Sequence, residues 1–217
     1  MTESLNDLLA ALHAERVRTW DPQALQVNVR QRRTLVETAD RAAWVKAGDQ
    51  APDVRLTEVD GEELTLQGLT AKGPVVLILF RFATCPACNI ALPYYDRNLW
   101  PTLSSLGIPL VAISPQVPEA LINVRQRHGF GFRVASDPGA RLGRRFGLTF
   151  KSESEPTPTA VAQGLAEMTH PTVVVIDADH RVRFVEVTPD WMARTEAEPV
   201  VEAVRKVLEE RLEPVGA

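Results

Sequence analysis

The chain has 217 residues, 45% of them hydrophobic and 24% charged, with a formal net charge of −4. That length and balance suit a globular domain with an extension and argue against a disordered chain. No apolar run approaches the roughly 20 residues that cross a bilayer, and the scattered Lys and Arg offer no basic face, so neither a membrane nor nucleic acid is an expected partner.

The start carries Glu3 and Asp7 and lacks the basic flank and apolar stretch of a secretory leader, which points to the cytoplasm. Leu5, Leu8, Leu9 and Leu12 fall at helical spacing behind Ser4, with Asp7 three residues on, and predict a helix over 3–18. Asp21-Pro22 restarts the helical pattern, predicted over 22–45. The leucine stripe must cover either the core or a second copy in a homodimer. Gly48 to Pro52 breaks the pattern, dividing a helical extension (1–47) from a main domain (48–217).

The texture then changes to short apolar runs between turn signals, as in an α/β core. A hairpin is expected over 54–57 and 63–66 through Asp60-Gly61, a central strand over 75–80 and a long helix over 86–106. Next come a strand over 110–114, a helix over 118–128, a short strand over 134–136 and a helix over 137–146 ended by Gly147. Residues 151–169 suggest a surface loop with a helical turn. Strands over 173–176 and 182–187 and a helix over 196–211 complete the chain. Trp44, Trp100 and Trp191 are expected as packing residues.

Only two cysteines are present, Cys85 and Cys88, in the run Thr84-Cys85-Pro86-Ala87-Cys88-Asn89 at a strand-to-helix junction. With Pro86 as the first helical residue, Cys85 becomes the N-cap, where free amides and the helix dipole favour a thiolate. Cysteines in such pairs reach pKa values of about 3.5 to 7 against an ordinary value near 8.5. Cys88, one turn on, could then resolve whatever Cys85 captures, through a reversible disulfide. Two plainer alternatives are an inert buried pair and a zinc site. Zinc would need further ligands from His13, His128, His170, His180 or carboxylates, none of which shows paired ligand spacing. Arg81 is either a source of positive charge for the thiolates or a solvated strand-end residue. His170 is either a proton carrier or a loop residue before proline.

These residues resemble the thioredoxin superfamily, and more closely the peroxiredoxin-like branch of the alkyl hydroperoxide reductase and thiol-specific antioxidant family. The resemblance runs from about residue 46 to 211. Its markers are Gly48-Asp49-Gln50-Ala51-Pro52-Asp53, Gly73-Pro74-Val75 leading to the cysteine pair, Ile113-Ser114-Pro115-Gln116, Ser136-Asp137-Pro138, Arg145-Phe146-Gly147-Leu148 and His170-Pro171-Thr172. It implies an α/β thioredoxin-like fold, a central mixed sheet flanked by helices, with the N-terminal helical extension added. It also implies an antioxidant oxidoreductase without cofactor or metal, acting on a peroxide or disulfide and regenerated by an external thiol of thioredoxin or glutathione type. Thr84, Pro86, His170 and Pro171 take the positions of substrate-binding residues. Pro93 matches the proline of thioredoxin's active-site helix, and Pro171 the superfamily's cis-proline.

Two departures bear on the activity. The peroxiredoxin Pro-x-x-x-Thr-x-x-Cys signature is replaced by Arg81-Phe82-Ala83-Thr84 before the pair, and His170-Pro171 stands where the family's arginine would be. Alignment also leaves the order of attack open. Thioredoxin places the exposed nucleophile at Cys85, peroxiredoxins place the peroxide-reacting sulfur at Cys88, and the N-cap argument favours Cys85. The rival from another class is a redox-inactive module that keeps the fold and uses its surface for binding.

Overall fold

The computed structural model describes residues 3–151 and 157–212. Two capped helices open the chain. α1 (Leu5–Thr19) begins at Ser4, whose hydroxyl accepts the Asp7 amide, and α2 (Pro22–Thr38) at Asp21, whose carboxylate accepts two first-turn amides. α2 stops at Thr38, short of the predicted 45. Ala39 is extended, and the Asp40 carboxylate takes the Ala42 amide, offering the backbone a turn in place of the helix.

β1 (Arg55–Glu58) and β2 (Glu63–Thr65) pair antiparallel around Asp60-Gly61. Thr65 then caps a one-turn helix that the sequence reading missed, α3 (Leu66–Thr70). β3 (Val75–Leu79) is buried throughout and leads to α4 (Pro86–Asn98) and α5 (Trp100–Ser105). The single helix expected over 86–106 breaks at Leu99, because Pro101 has no amide hydrogen with which to continue the ladder. β4 (Leu110–Ser114), α6 (Pro118–His128) and β5 (Arg133–Ser136) follow as expected.

α7 (Arg141–Arg145) is shorter than predicted, since Gly139 and Ala140 both take positive φ ahead of it. Gly147 ends it at φ +69°, and a Cβ there would lie 2.1 Å from the Ala43 carbonyl oxygen, so glycine also lets the linker from α2 pass. β6 (Thr149–Phe150) and β7 (Met168–Thr169) form a two-stranded sheet, with α8 (Pro158–Ala162) between them. α8 and β7 lie within the expected loop over 151–169 and β6 just before it, and residues 152–156 fall outside the described residues. β8 (Thr172–Ile176), β9 (Val182–Val187) and α9 (Ala197–Leu212) complete the chain.

The main sheet runs β2-β1-β5-β4-β3-β8-β9, with β3, β4 and β5 parallel and the others antiparallel. Strand alternation divides the core. Val76, Ile78 and Phe80 face the α4 layer, while Val75, Leu77 and Leu79 face the layer containing Phe146 and Leu148. Leu5 and Leu9 are fully buried in the α4 layer, with Leu8 and Leu12 packed against it. The leucine stripe is thus covered within the chain, and the homodimer expected through it loses its apolar face. Among the described residues no helix is long and apolar enough to cross a membrane.

Candidate redox site

β3 delivers the chain to the end of the sheet, and residues 81–85 cross to α4 as a loop held by two amide side chains. Gln116 Oε1, just after β4, accepts the Ala83 amide at 2.6 Å. Asn89 Nδ2, one turn into α4, donates to the carbonyls of Ala83 at 2.7 Å and Cys85 at 2.9 Å. His128 holds the Asn89 oxygen at 2.9 Å. Backbone groups that the strand-to-helix turn would strand are thereby satisfied, which fixes where the sulfurs sit.

Cys85 is the N-cap of α4 and Pro86 its first residue, as the spacing predicts. The predicted consequence does not follow. The Cys85 side chain takes no capping hydrogen bond, and the two cysteines, both reduced, are only 1% and 2% exposed. Competition explains the missing cap: Cys88 and Arg81, not the first-turn amides, are the polar groups that act on the Cys85 thiol. Burial alone would raise the Cys88 pKa. The hydrogen bond from Cys85 and the positive charge of Arg194 and Arg81 outweigh it and bring Cys88 down to about 5. Cys85 moves well up, because it donates to the Cys88 sulfur, is buried, and faces its negative charge. The Arg194 guanidinium at 3.8 Å from Cys88 Sγ, with no such contact at Cys85 among the described residues, favours negative charge on Cys88 over the N-cap sulfur.

Two guanidiniums face this pair. Arg194, after β9, places Nη2 3.8 Å from Cys88 Sγ while Nη1 donates to the carbonyls of Trp191 and Ala193. Arg81 is 5% exposed, so its solvated-residue alternative is excluded. Its guanidinium carbon lies 4.6 Å from the Trp191 ring centre and 5.1 Å from that of Phe82, and Nη2 is 3.7 Å from Met168 Sδ. Burial lowers the Arg81 pKa, and the charge at both sulfurs opposes that shift. Neither arginine has a carboxylate within 4.0 Å among the described residues.

The remaining candidates separate. Pro171, Cys88 and Arg194 line a void of about 10 Å³, the space of one water at most. The His170–Pro171 peptide is trans, which corrects the cis expectation. Trans is the lower-energy form of such a bond, and here the Pro171 carbonyl accepts both the amide and hydroxyl of Thr188 on the neighbouring chain segment. His170 is buried, stacked on Phe150 at 4.7 Å and tilted against Trp44 at 5.9 Å. Burial, reinforced by Arg81, pushes its pKa down to about 4, so the ring is neutral at pH 7. Thr84 and Pro86 lie on the exposed rim. Sequence reasoning missed Arg194 and the role of Trp191 as the surface on which Arg81 rests. Their only signal was a second cluster of large and basic residues, Trp191-Met192-Ala193-Arg194.

A sheet of this order with a cysteine pair opening its central helix defines a thioredoxin-like protein equipped for thiol chemistry. The chain belongs to the AhpC/TSA family, whose model matches residues 47–185. It is 27% identical over 124 residues to thiol-disulfide oxidoreductase ResA of Halalkalibacterium halodurans, covering 57% of this chain and 65% of that one. It is 30% identical over 105 residues to peroxiredoxin Bcp of Escherichia coli, covering 48% and 65% respectively. The chain therefore spans less than two thirds of the length of these curated relatives. Among solved structures, peroxidoxin BcpB from Mycobacterium tuberculosis superposes with a TM-score of 0.61 at 23% identity, over 75% of this chain and 98% of that one. That similarity shows the shared fold.

Proposed function

We propose that the chain is a cytoplasmic thiol–disulfide oxidoreductase with an antioxidant role, cycling its Cys-x-x-Cys pair between dithiol and disulfide. The carrying observation is the Cys85–Cys88 pair opening α4 with the Arg194 guanidinium 3.8 Å from Cys88 Sγ and Arg81 buried beside it, neither arginine having a carboxylate within 4.0 Å among the described residues. The names of the relatives agree with that chemistry, one a disulfide oxidoreductase and one a peroxiredoxin. The working division remains 1–47 as helical extension and 48–217 as redox domain.

In this reading the Cys88 thiolate attacks. With a peroxide, the sulfur takes the near oxygen, the O–O bond breaks, and water or alcohol leaves once protonated. Cys85 then displaces water from the sulfenic acid and closes the Cys85–Cys88 disulfide. With a disulfide substrate, Cys88 forms a mixed disulfide and expels one thiolate, and Cys85 expels the other. An external thiol of thioredoxin or glutathione type returns two electrons to the pair. Thr84 and Pro86 meet the substrate on the exposed rim, Pro171 lies beside the small void at Cys88, and Arg81 stabilises the thiolate. His170 acts only as a neutral, proton-accepting ring.

The test is trapping. Cys85→Ser should accumulate a sulfenic acid or mixed disulfide on Cys88 by mass spectrometry, and a Cys85→Ser chain whose Cys88 stays unreacted would overturn this order of attack. Stopped-flow rates with hydrogen peroxide and with a disulfide then separate peroxidase from reductase. A wild-type chain whose thiols titrate near the ordinary value of about 8.5 and form no disulfide under mild oxidation would instead be the redox-inactive module.

A further inference from the structure

Every polar atom of the Asn89 side chain has a partner. The amide nitrogen spends both hydrogens, on the carbonyls of Ala83 at 2.7 Å and Cys85 at 2.9 Å, so the amide oxygen is left to accept from Nε2 of His128 at 2.9 Å. Arg127 Nη1 lies 3.5 Å from the same oxygen. The Ala83 carbonyl has no other donor among the described residues, whereas the Cys85 carbonyl also takes the Asn89 backbone amide at 3.0 Å. His128 is itself fixed. Its ring stacks on Phe130 at 5.1 Å, and Phe130 stacks on Phe132 at 4.7 Å, both buried in the α4 layer. A chain of contacts therefore runs from the core, through the end of α6, to the backbone on either side of Thr84.

We propose that Asn89, oriented by His128, is a positioning residue of the resolving step: its amide holds the turn from Ala83 to Cys85 so that Cys85 stands ready to close on Cys88 after the first attack. The inference rests on the cycle proposed above, in which Cys88 attacks and Cys85 resolves. The two cysteines depend on Asn89 unequally. Cys88 lies inside α4 and faces Arg194 at 3.8 Å, and neither support uses the Asn89 side chain. Cys85 lies at the junction, where its amide donates to the Phe82 carbonyl at 3.1 Å and its own carbonyl is held by Asn89. A disulfide tolerates only about 4.4–6.8 Å between the Cα atoms it joins, so the placement of that junction governs closure.

In the step itself the Cys85 sulfur bonds to the sulfur of the Cys88 sulfenic acid, the S–O bond breaks, and the Cys85 proton leaves with the hydroxyl as water. With a disulfide substrate the departing group is the substrate's second thiolate, which takes up that proton. A turn released from Asn89 spends less time in the reacting geometry, which slows closure and leaves the attack by Cys88 untouched. It must also be ordered again when the bond forms, which weakens the disulfide relative to the dithiol.

The experiment mixes the full chain with hydrogen peroxide, or with oxidised glutathione if only disulfides react, and follows it by quench-flow mass spectrometry, which reads the Cys88 adduct and the closed disulfide as separate species. In Asn89→Ala the adduct should form within about twofold of the wild-type rate and close about tenfold more slowly. Alanine is the best helix former, so α4 itself is retained. Equilibrated in a glutathione buffer, the same variant should favour the dithiol about tenfold more, a potential about 30 mV less negative. His128→Phe keeps an aromatic ring on Phe130 but no donor to Asn89, and should slow closure about threefold, while His128→Gln, which keeps a donor, should restore the wild-type rate. Closure at the wild-type rate in Asn89→Ala and His128→Phe, or a slowing shared equally by both steps, overturns the inference and leaves the redox reading standing. Should Asn89→Ala fail to fold, His128→Phe against His128→Gln decides by the same comparison. A wild type that forms no Cys85–Cys88 disulfide removes both.

Discussion

Replacing Arg194 by methionine removes one of the two charges beside the Cys88 sulfur while keeping most of the side-chain volume. The nearest guanidinium nitrogen is 3.8 Å from Cys88 Sγ. A full charge at that range acts with about 4 kcal/mol at an effective dielectric of about 20. The guanidinium charge is spread over three nitrogens, and the carbonyls of Trp191 and Ala193 already occupy part of it. About half the full value is then expected, roughly 2 kcal/mol or about 1.5 pKa units. A thiol held at about 5 in the wild type should therefore titrate well above that value in Arg194→Met, between about 6 and 7.

The assay is ultraviolet absorbance of the thiolate against pH. It requires no reagent to reach a sulfur that is 2% exposed, so it separates ionisation from access. Arg194→Lys retains the charge and should stay near the wild-type midpoint, which controls for packing. An Arg194→Met midpoint equal to the wild type would refute the reasoning.

Stability should also depend on pH through His170, whose folded pKa of about 4 lies below its ordinary value, so the unfolded chain binds the extra proton first as pH falls. Stability on this account is complete above pH of about 6.5 and declines toward pH 4 by up to about 3 kcal/mol; His170→Phe should flatten that slope in urea titrations, and an unchanged slope would assign it elsewhere. Gly147→Ala places a side chain at φ +69° and against the Ala43 carbonyl, and should cost at least about 2 kcal/mol in chemical denaturation; a loss under about 0.5 kcal/mol would show that the linker yields freely.

Much of the fold was legible because its punctuation is local. Ser4, Asp21 and Gly147 announce helix ends through groups within a few residues of themselves, and β3, β4 and β8 announce burial by composition. The failures have equally local causes. α3 was hidden because Thr65 serves as both strand end and helix cap, and β6 and β7 because two-residue strands have no period to detect. At the site, the positions of Cys85 and Pro86 could be read, but the direction of the thiol could not, since an N-cap residue fixes the backbone and leaves its side chain to whatever competes for it. The competitors, Cys88 and Arg81, lie close in sequence, but the guanidinium that sets the charge on Cys88 is Arg194, 106 residues further on. No spacing rule reaches so far.

The departures from the peroxiredoxin signature then acquire a physical sense. With His170-Pro171 in the place of the family's arginine, positive charge reaches the sulfurs from two other directions, Arg81 just before the pair and Arg194 after β9. The two cysteines divide this field unequally only while Cys88 is ionised, because the leading cause of the raised Cys85 pKa is its own donation to Cys88. Once Cys88 has bonded to an oxidant, that acceptor and its charge are gone, and the same guanidiniums are left facing Cys85. The resolving thiol should therefore become acidic only after the first has reacted. In the proposed cycle one fixed set of charges would serve both steps in turn, and the pair would never hold two thiolates at once.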